Sequence, residues 1–120
     1  MPLTRHLSHA HDDKVSQALI PKLPSTIGKT GGIRPPLGEV RRFTVIDELR
    51  QEESSLKGEM IILLQRLRFE DGVEEFRLGY YIIGKKPRVQ GKWVWGQFAL
   101  MMPPEDFRAL LEKARAKGWV

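Results

Sequence analysis

Four cations and two tryptophans stand close together in residues 85–98, which read KKPRVQGKWVWGQF. Lysine and arginine side chains bind phosphate groups, and aromatic rings stack on nucleic-acid bases with about 1–3 kcal/mol per base. The cations are Lys85, Lys86, Arg88 and Lys92, and the rings are those of Trp93 and Trp95. This combination favours noncovalent recognition of a polyanion over covalent chemistry.

Side chains that commonly perform catalysis are scarce in the rest of the chain. There is no cysteine, and residues 43–120 contain no histidine, so the usual nucleophile and the usual neutral-pH acid or base are both missing from that part. The segment TIGKTGG differs from a phosphate-binding loop, which needs glycine where this chain has Leu23. We therefore expect neither an enzyme nor a protein that holds a cofactor.

Three histidines near the N-terminus raise the question of a metal site. They are followed by two aspartates, and both residue types are competent ligands for divalent metals. A tail that must be ordered on binding, with no further side chains to orient the rings, makes a tight site unfavourable, so we expect no metal. The five side chains are His6, His9, His11, Asp12 and Asp13.

The basic charge is concentrated at the start of the chain. The formal net charge is +5; residues 1–42 have seven Lys or Arg against three Asp or Glu, and residues 43–120 have thirteen against twelve. Because residues 1–42 are rich in Pro, Gly, Ser and Thr, we expect a flexible basic arm there and a single small α+β domain over residues 43–120. The absence of a long apolar run and of a secretion signal predicts a cytoplasmic protein.

The clearest predicted element is a β-hairpin over residues 59–83. Two runs of β-forming residues flank Asp71-Gly72, which favours a two-residue type I′ turn. That loop would place Arg66 opposite Arg77 on one face of the hairpin. The two guanidinium groups either diverge in solvent or hold an anion between them, and the sequence leaves both alternatives open.

Residues 44–57 permit two interpretations. Thr44 as an N-cap, Asp47 in a first turn and Gly58 as a stop predict a short helix, which we favour. The β-forming residues around Val45 are the argument for a strand instead.

A third strand and a helix follow the basic loop. The helix is predicted in PPEDFRALLEKARAKGW, where Pro and acidic residues come first, cations come last and Gly118 is the stop. Its apolar stripe is Phe107, Leu110, Leu111 and Ala114. The predicted fold class is α+β: a three- to four-stranded antiparallel β-meander with a C-terminal α-helix packed on one face, preceded by the flexible basic arm.

Alternation along the third strand puts Trp93 and Trp95 on one face and Val94 on the other. If Val94 faces the helix, the tryptophans lie on the opposite face with other rings and cations. The expected site for single-stranded DNA or RNA comprises Trp93, Trp95, Tyr81, Arg66, Arg68, Arg77, Lys85, Lys86, Arg88 and Lys92. The same rings also suit a protein-interaction or homodimer interface with no nucleic-acid role, and a core this small favours a homodimer.

The order of hairpin, polar loop, short strand and helix over residues 59–117 resembles the positive-cofactor (transcriptional coactivator) family of single-stranded-DNA-binding proteins. The residues that match the Pro-Glu-x-aromatic opening of that family's helix are Pro104, Glu105 and Phe107. In EFRLGYY, Arg77 matches the family's strand arginine, and Tyr80 or Tyr81 lies near its aromatic position. The chain departs from the family where FALMM replaces a Lys-Gly-Ile-Ser-Leu segment. The resemblance implies a dimer that binds single-stranded DNA in transcription, replication or repair.

Overall fold

The computed structural model describes residues 20–36, 38–56 and 58–120. These residues form five strands and one helix: β1 (Thr30–Ile33), β2 (Arg41–Glu52), β3 (Met60–Phe69), β4 (Glu74–Ile83), β5 (Trp93–Trp95) and α1 (Pro104–Ala116). The strands pair antiparallel in the order β1-β2-β3-β4-β5, and the sheet curls into a half-barrel. The fold is α+β, as predicted, but it has five strands where three or four were expected.

The β3–β4 hairpin closes through a three-residue loop, so the predicted register is wrong. The amide of Gly72 donates to the carbonyl of Phe69 at 2.9 Å, and Gly72 has a φ of +86°. These are the features of a type I turn followed by a left-handed glycine, which Asp-Gly supports as well as it supports a two-residue turn. The shift by one residue pairs Gln65, instead of Arg66, with Arg77.

Strand β2 replaces the helix that we favoured for residues 44–57, and that prediction is wrong. The register between β2 and β3 shifts between Val45 and Asp47, so Ile46 is the extra residue of a β-bulge. A bulge reverses which side of the sheet the following residues face. Val45 and Leu49 therefore lie on opposite faces, and the interrupted alternation hides the strand from a period-2 analysis.

Strand β1 lies within the segment that the sequence assigned to an arm. It pairs with the first part of β2, and Gly31 meets the ring of Phe43 so closely that a Cβ at position 31 would lie 2.6 Å from Phe43 Cζ. Upstream of β1, Leu23 and Thr26 are buried. The sheet and its packing therefore include residues before Phe43, whereas residues 1–19 lie outside the described part.

Helix α1 packs on one side of the sheet, which we call the helix face. The buried cluster there contains Leu49, Met60, Ile62, Tyr80, Leu110 and Ala114. Two residues of the predicted apolar stripe, Phe107 and Leu111, are exposed instead. No helix in the described ranges is long and apolar enough to cross a membrane.

The rotation of α1 away from its predicted stripe has a polar cause. Asp106 is buried, and its carboxylate accepts hydrogen bonds from the amide and the hydroxyl of Ser54 at 2.9 and 3.1 Å. Ser54 belongs to the turn between β2 and β3. This contact holds the first turn of α1 against that turn and carries Phe107 outward.

Candidate nucleic-acid interface

The predicted aromatic residues come together on the side of the sheet opposite α1, which we call the aromatic face. Strands β4 and β5 pair Tyr81 with Trp95 and Ile83 with Trp93, and directly paired residues point to the same face. Val94 pairs with an isoleucine on the helix face, as the alternation predicted. The rings of the aromatic face and the arginines that contact those rings are Arg41, Phe43, Phe69, Arg77, Tyr81, Trp93 and Trp95.

Arg66 and Arg68 do not belong to this face, which corrects the predicted site. The three-residue loop pairs even-numbered residues of β3 with even-numbered residues of β4, so both arginines lie on the helix face. There they share one carboxylate: Arg66 Nε lies 2.7 Å and Arg68 Nη2 3.1 Å from the oxygens of Glu74. Hydrogen bonds from Arg68 and Arg66 lower the pKa of Glu74. The anion that one of the two alternatives placed between Arg66 and Arg77 has no site in this arrangement, because the two side chains lie on opposite faces.

Arg77 occupies the centre of the aromatic face, between two rings. Its Cζ lies 4.7 Å from the ring centroid of Phe43 and 4.7 Å from that of Trp95. Its Nε donates to Gln65 Oε1 at 2.9 Å, which sets the plane of the guanidinium group. Cation–π contacts of this kind are favourable and add to the hydrogen bond in fixing the side chain.

The charge of Arg77 is half-buried and unbalanced. Among the described residues, no carboxylate oxygen lies within 4.0 Å of its nitrogens, and only Nε has a hydrogen-bond partner. Burial lowers the pKa of Arg77 from its ordinary value, and the nearby Tyr81 partly offsets this. An arginine stays charged at neutral pH, so its two terminal nitrogens are oriented donors for an anion.

A hydrogen-bonded network that includes Gln65 fixes the orientation of the Arg77 guanidinium group. Gln65 Nε2 donates to Thr26 Oγ1 at 3.0 Å, and the Thr26 amide donates to Glu48 Oε1 at 2.6 Å. Arg50 pairs with Glu48 and also donates to the carbonyl of Leu23 at 2.7 Å. The network ties the segment before β1 onto the aromatic face and links it to Arg77.

Rings continue from Arg77 toward the edge of the sheet. Trp95 and Tyr81 meet edge to face, with centroids 5.1 Å apart. Trp93 Nε1 donates to the carbonyl of Pro21 at 2.7 Å, so its indole contacts the segment before β1. All three rings are half-buried, which leaves part of each available for stacking.

The basic loop joins β4 to β5 and lies beside the end of this row of rings. Lys85 forms an ion pair with Glu59 at 3.1 Å. The other three cations of the loop are exposed and have no carboxylate within 4.0 Å in the described part of the chain: Lys86, Arg88 and Lys92. The loop therefore brings these three cations to the end of the aromatic row.

Sequence reasoning missed the half of the face that β2 and β3 provide. Arg41 Cζ lies 3.9 Å from the ring centroid of Phe69, and the rings of Phe69 and Phe43 meet edge to face at 5.8 Å. Arg41 also pairs with Glu75 at 2.9 Å. The signal was the alternation of Arg41 and Phe43, which a strand assignment for β2 would have revealed.

Neither a metal-binding cluster nor a known relative helps to assign a function to the aromatic face. The ranges described contain no group of three or more His, Cys, Asp or Glu side chains arranged to hold a metal, and the N-terminal histidines lie outside them. No family model matches the chain, and neither a curated protein nor a solved structure matches it. The resemblance to the coactivator family stays a prediction.

Proposed function

We propose that this protein binds single-stranded DNA or RNA on its aromatic face and catalyses no reaction there. The observation that supports this most strongly is Arg77, a half-buried cation whose terminal nitrogens have no partner among the described residues. Such a group costs desolvation energy that an anionic ligand recovers. A backbone phosphate of a nucleic acid is an anion of the right charge and hydrogen-bonding capacity.

The rings beside Arg77 favour a single strand over a duplex. Bases in a duplex are stacked on one another, whereas those of a single strand stack on protein rings regardless of sequence. Trp95, Tyr81 and Trp93 follow Arg77 toward the basic loop. A strand lying along this row would place bases on the indoles and phosphates near Arg77 at one end and Lys86, Arg88 and Lys92 at the other.

A second candidate is a protein-interaction surface at the same place. The rings of Tyr81, Trp93 and Trp95 are half-buried, so each still exposes apolar surface on the aromatic face. Partly exposed tryptophan and tyrosine rings are also typical of the centre of a protein interface. The two candidates differ in their response to salt, since phosphate binding releases counterions and apolar contact does not.

The test is a titration of a fluorescent oligonucleotide with the protein. Single-stranded DNA, single-stranded RNA and duplex are compared at about 50 and 200 mM salt, with intrinsic tryptophan fluorescence as a second signal. We expect single strands to bind more tightly than duplex, with quenching of the tryptophans. Affinity should fall steeply at the higher salt.

Two variants make the test specific to the aromatic face. Arg77→Gln removes the central cation, whereas Arg66→Gln removes the same charge from the opposite face of the sheet. We expect the first to weaken binding by about tenfold or more and the second to leave it near that of the unmodified protein. Thermal unfolding of both variants controls for stability. Equal effects of the two variants, or no binding at low salt, would refute the proposal.

A further inference from the structure

Four charged residues lie on the outward side of α1. Read in the opposite direction along the helix, their series has the opposite charge at each position, so it is complementary to itself. Glu105, Arg108, Glu112 and Arg115 are all exposed, and they are spaced by three, four and three residues. Such neighbours can pair along one helix, yet in the described part of the chain none of the four has an opposite charge within 4.0 Å. These charges are therefore available to another molecule.

Apolar side chains accompany these charges. Phe107 and Leu111 are 45% and 36% exposed, although both are large apolar residues of α1. The flank of α1 toward β2 is occupied by lysines: Lys113 donates to the carbonyl of Arg50, and Lys117 pairs with Asp47. Phe107 and Leu111 project from the other flank, toward β4.

Strand β4 adds to the apolar surface on that side. Phe76 and Leu78 are exposed on the helix face, where residues of α1 do not cover them. The ring of Phe76 stacks on that of Trp119, just after α1, with centroids 5.4 Å apart and planes inclined by 14°. This surface of β4, Trp119 and the adjoining flank of α1 is called the α1 flank below.

We propose that two copies of this chain associate through the outward side of α1 and the adjoining edge of the α1 flank at Leu111, with the two helices antiparallel about a two-fold axis at the level of Leu110. Residues equally distant from the axis in opposite directions then lie side by side. Glu105 meets Arg115 of the second copy, and Arg108 meets Glu112, so each contact occurs twice, as in an isologous interface. Leu111 lies near the axis and packs against its counterpart.

The charge pattern identifies the occupant as a second copy. A partner of different sequence would need its own complementary series at the same spacing, whereas this helix already matches itself when reversed. Placing the apolar residues at the centre and the ion pairs around them also reproduces the usual division between the core and the rim of an interface.

This inference does not depend on nucleic-acid binding. The α1 flank and the aromatic face lie on opposite sides of the sheet, so association through one leaves the other open. Either proposal can fail without the other, because dimerisation is measured without an oligonucleotide. If both hold, the dimer presents two aromatic faces.

The first experiment measures the size of the unmodified full chain by sedimentation velocity over about 1–200 μM, a range in which a dimer of moderate affinity dissociates on dilution. We expect a concentration-dependent dimer. Leu111→Glu puts a carboxylate near the axis and should leave only monomer. Because Leu111 is exposed in the single chain, this variant should keep the thermal stability of the monomer.

Charge reversal tests the antiparallel arrangement. Glu105 and Arg115 are ten residues apart, about 15 Å along one helix, so they do not interact within a chain. Glu105→Arg alone and Arg115→Glu alone each set like charges against each other twice in the dimer. We expect each to raise the dissociation constant about tenfold and the double variant to restore it.

The double variant separates the proposal from a structural effect within the helix. Each reversal also opposes the helix dipole, because a cation enters the first turn or an anion enters the last turn. If the charges act only inside the chain, the double variant is the least stable of the three variants, and its dissociation constant does not return to that of the unmodified protein. Failure of the double variant to recover would overturn the proposed pairing, and a monomer at every concentration would overturn the dimer itself.

Discussion

The indole of Trp95 fills the space above Gly79 that any other residue at position 79 would occupy with its Cβ. Gly79 lies on β4 between Arg77 and Tyr81 on the aromatic face, and Trp95 reaches it from β5. Because glycine has no side chain, the ring can lie against the strand and meet the guanidinium of Arg77. The arrangement of the aromatic face thus depends on this one glycine.

Gly79→Ala should therefore displace the Trp95 ring. We expect the free energy of unfolding to fall by about 1–3 kcal/mol, as is typical when a methyl group is forced into a filled space. Urea denaturation followed by tryptophan fluorescence measures both the stability and the change in the indole's surroundings. In a Trp95→Leu background the alanine at position 79 meets a smaller side chain, so Gly79→Ala should lower the free energy of unfolding by less. Equal losses in the two backgrounds would show that the Trp95 ring is not what excludes a side chain at position 79.

Glu48 should make stability depend on pH in the acidic range. Burial acts to raise its pKa, but hydrogen bonds from Arg50, from the Thr26 amide and from Ser25 outweigh that effect, so the pKa lies below its ordinary value of 4.5. A carboxyl group with a lower pKa in the folded protein stabilises it above the unfolded pKa. That contribution is lost as the pH falls through the folded value.

Glu48→Gln should lower the free energy of unfolding at pH 7 by about 1.5–3 kcal/mol, because charged hydrogen bonds are lost. The variant should lose less stability than the unmodified protein between pH 5 and pH 3, as measured by urea denaturation at each pH. Glu70→Gln is the control, since Glu70 is exposed in a turn and has no ion pair among the described residues. Parallel pH curves for Glu48→Gln and the unmodified protein would contradict the assignment.

Asp106 should contribute more to stability than any exposed charge of α1. Asp106→Ala removes a buried carboxylate that accepts two hydrogen bonds from Ser54, and we expect a loss of about 1–3 kcal/mol in chemical denaturation. Lys117→Ala serves as the comparison, because its ion pair with Asp47 at 3.2 Å is exposed and such pairs contribute about 1 kcal/mol or less. Equal losses in the free energy of unfolding for Asp106→Ala and Lys117→Ala would contradict this prediction.

The basic loop should determine how strongly oligonucleotide binding depends on salt. If Arg88 contacts one phosphate of a single strand, Arg88→Gln should reduce the slope of log K against log salt by about 0.7. Lys86→Gln should act in the same way. Arg68→Gln, on the helix face, should not change the slope. Binding measured at four or more salt concentrations gives the slopes, and an unchanged slope for both loop variants would remove the loop from the interface.

Several elements were predictable from local patterns. The hairpin around Asp71-Gly72 and the helix ending before Gly118 are present, because turn residues and helix-end residues act within a few positions of each other. The same kind of reasoning placed Trp93 and Trp95 on the side of the sheet away from α1. That prediction needed only the alternation of β5 and an apolar Val94.

Other features depended on contacts between distant segments. The hydrogen bond from Gln65 to Thr26 joins residues 39 positions apart, and no sequence pattern near either residue predicts it. The burial of Asp106 depends on Ser54, 52 positions away. An analysis of periodicity treats each segment alone, so it assigned Phe107 to the apolar stripe and gave no sign that Asp106 is buried.

Local sequence patterns are enough to predict the class of fold and the concentration of rings and cations near β5, because composition, alternation and turn residues are local properties. Which cations share a face with the rings depends instead on the tertiary structure. A three-residue loop in place of a two-residue loop moved Arg66 and Arg68 to the helix face, and a bulge at Ile46 brought Phe43 beside Arg77. Each is a change of a single residue, but side chains alternate with a period of two, so one residue is enough to exchange the two faces of a strand.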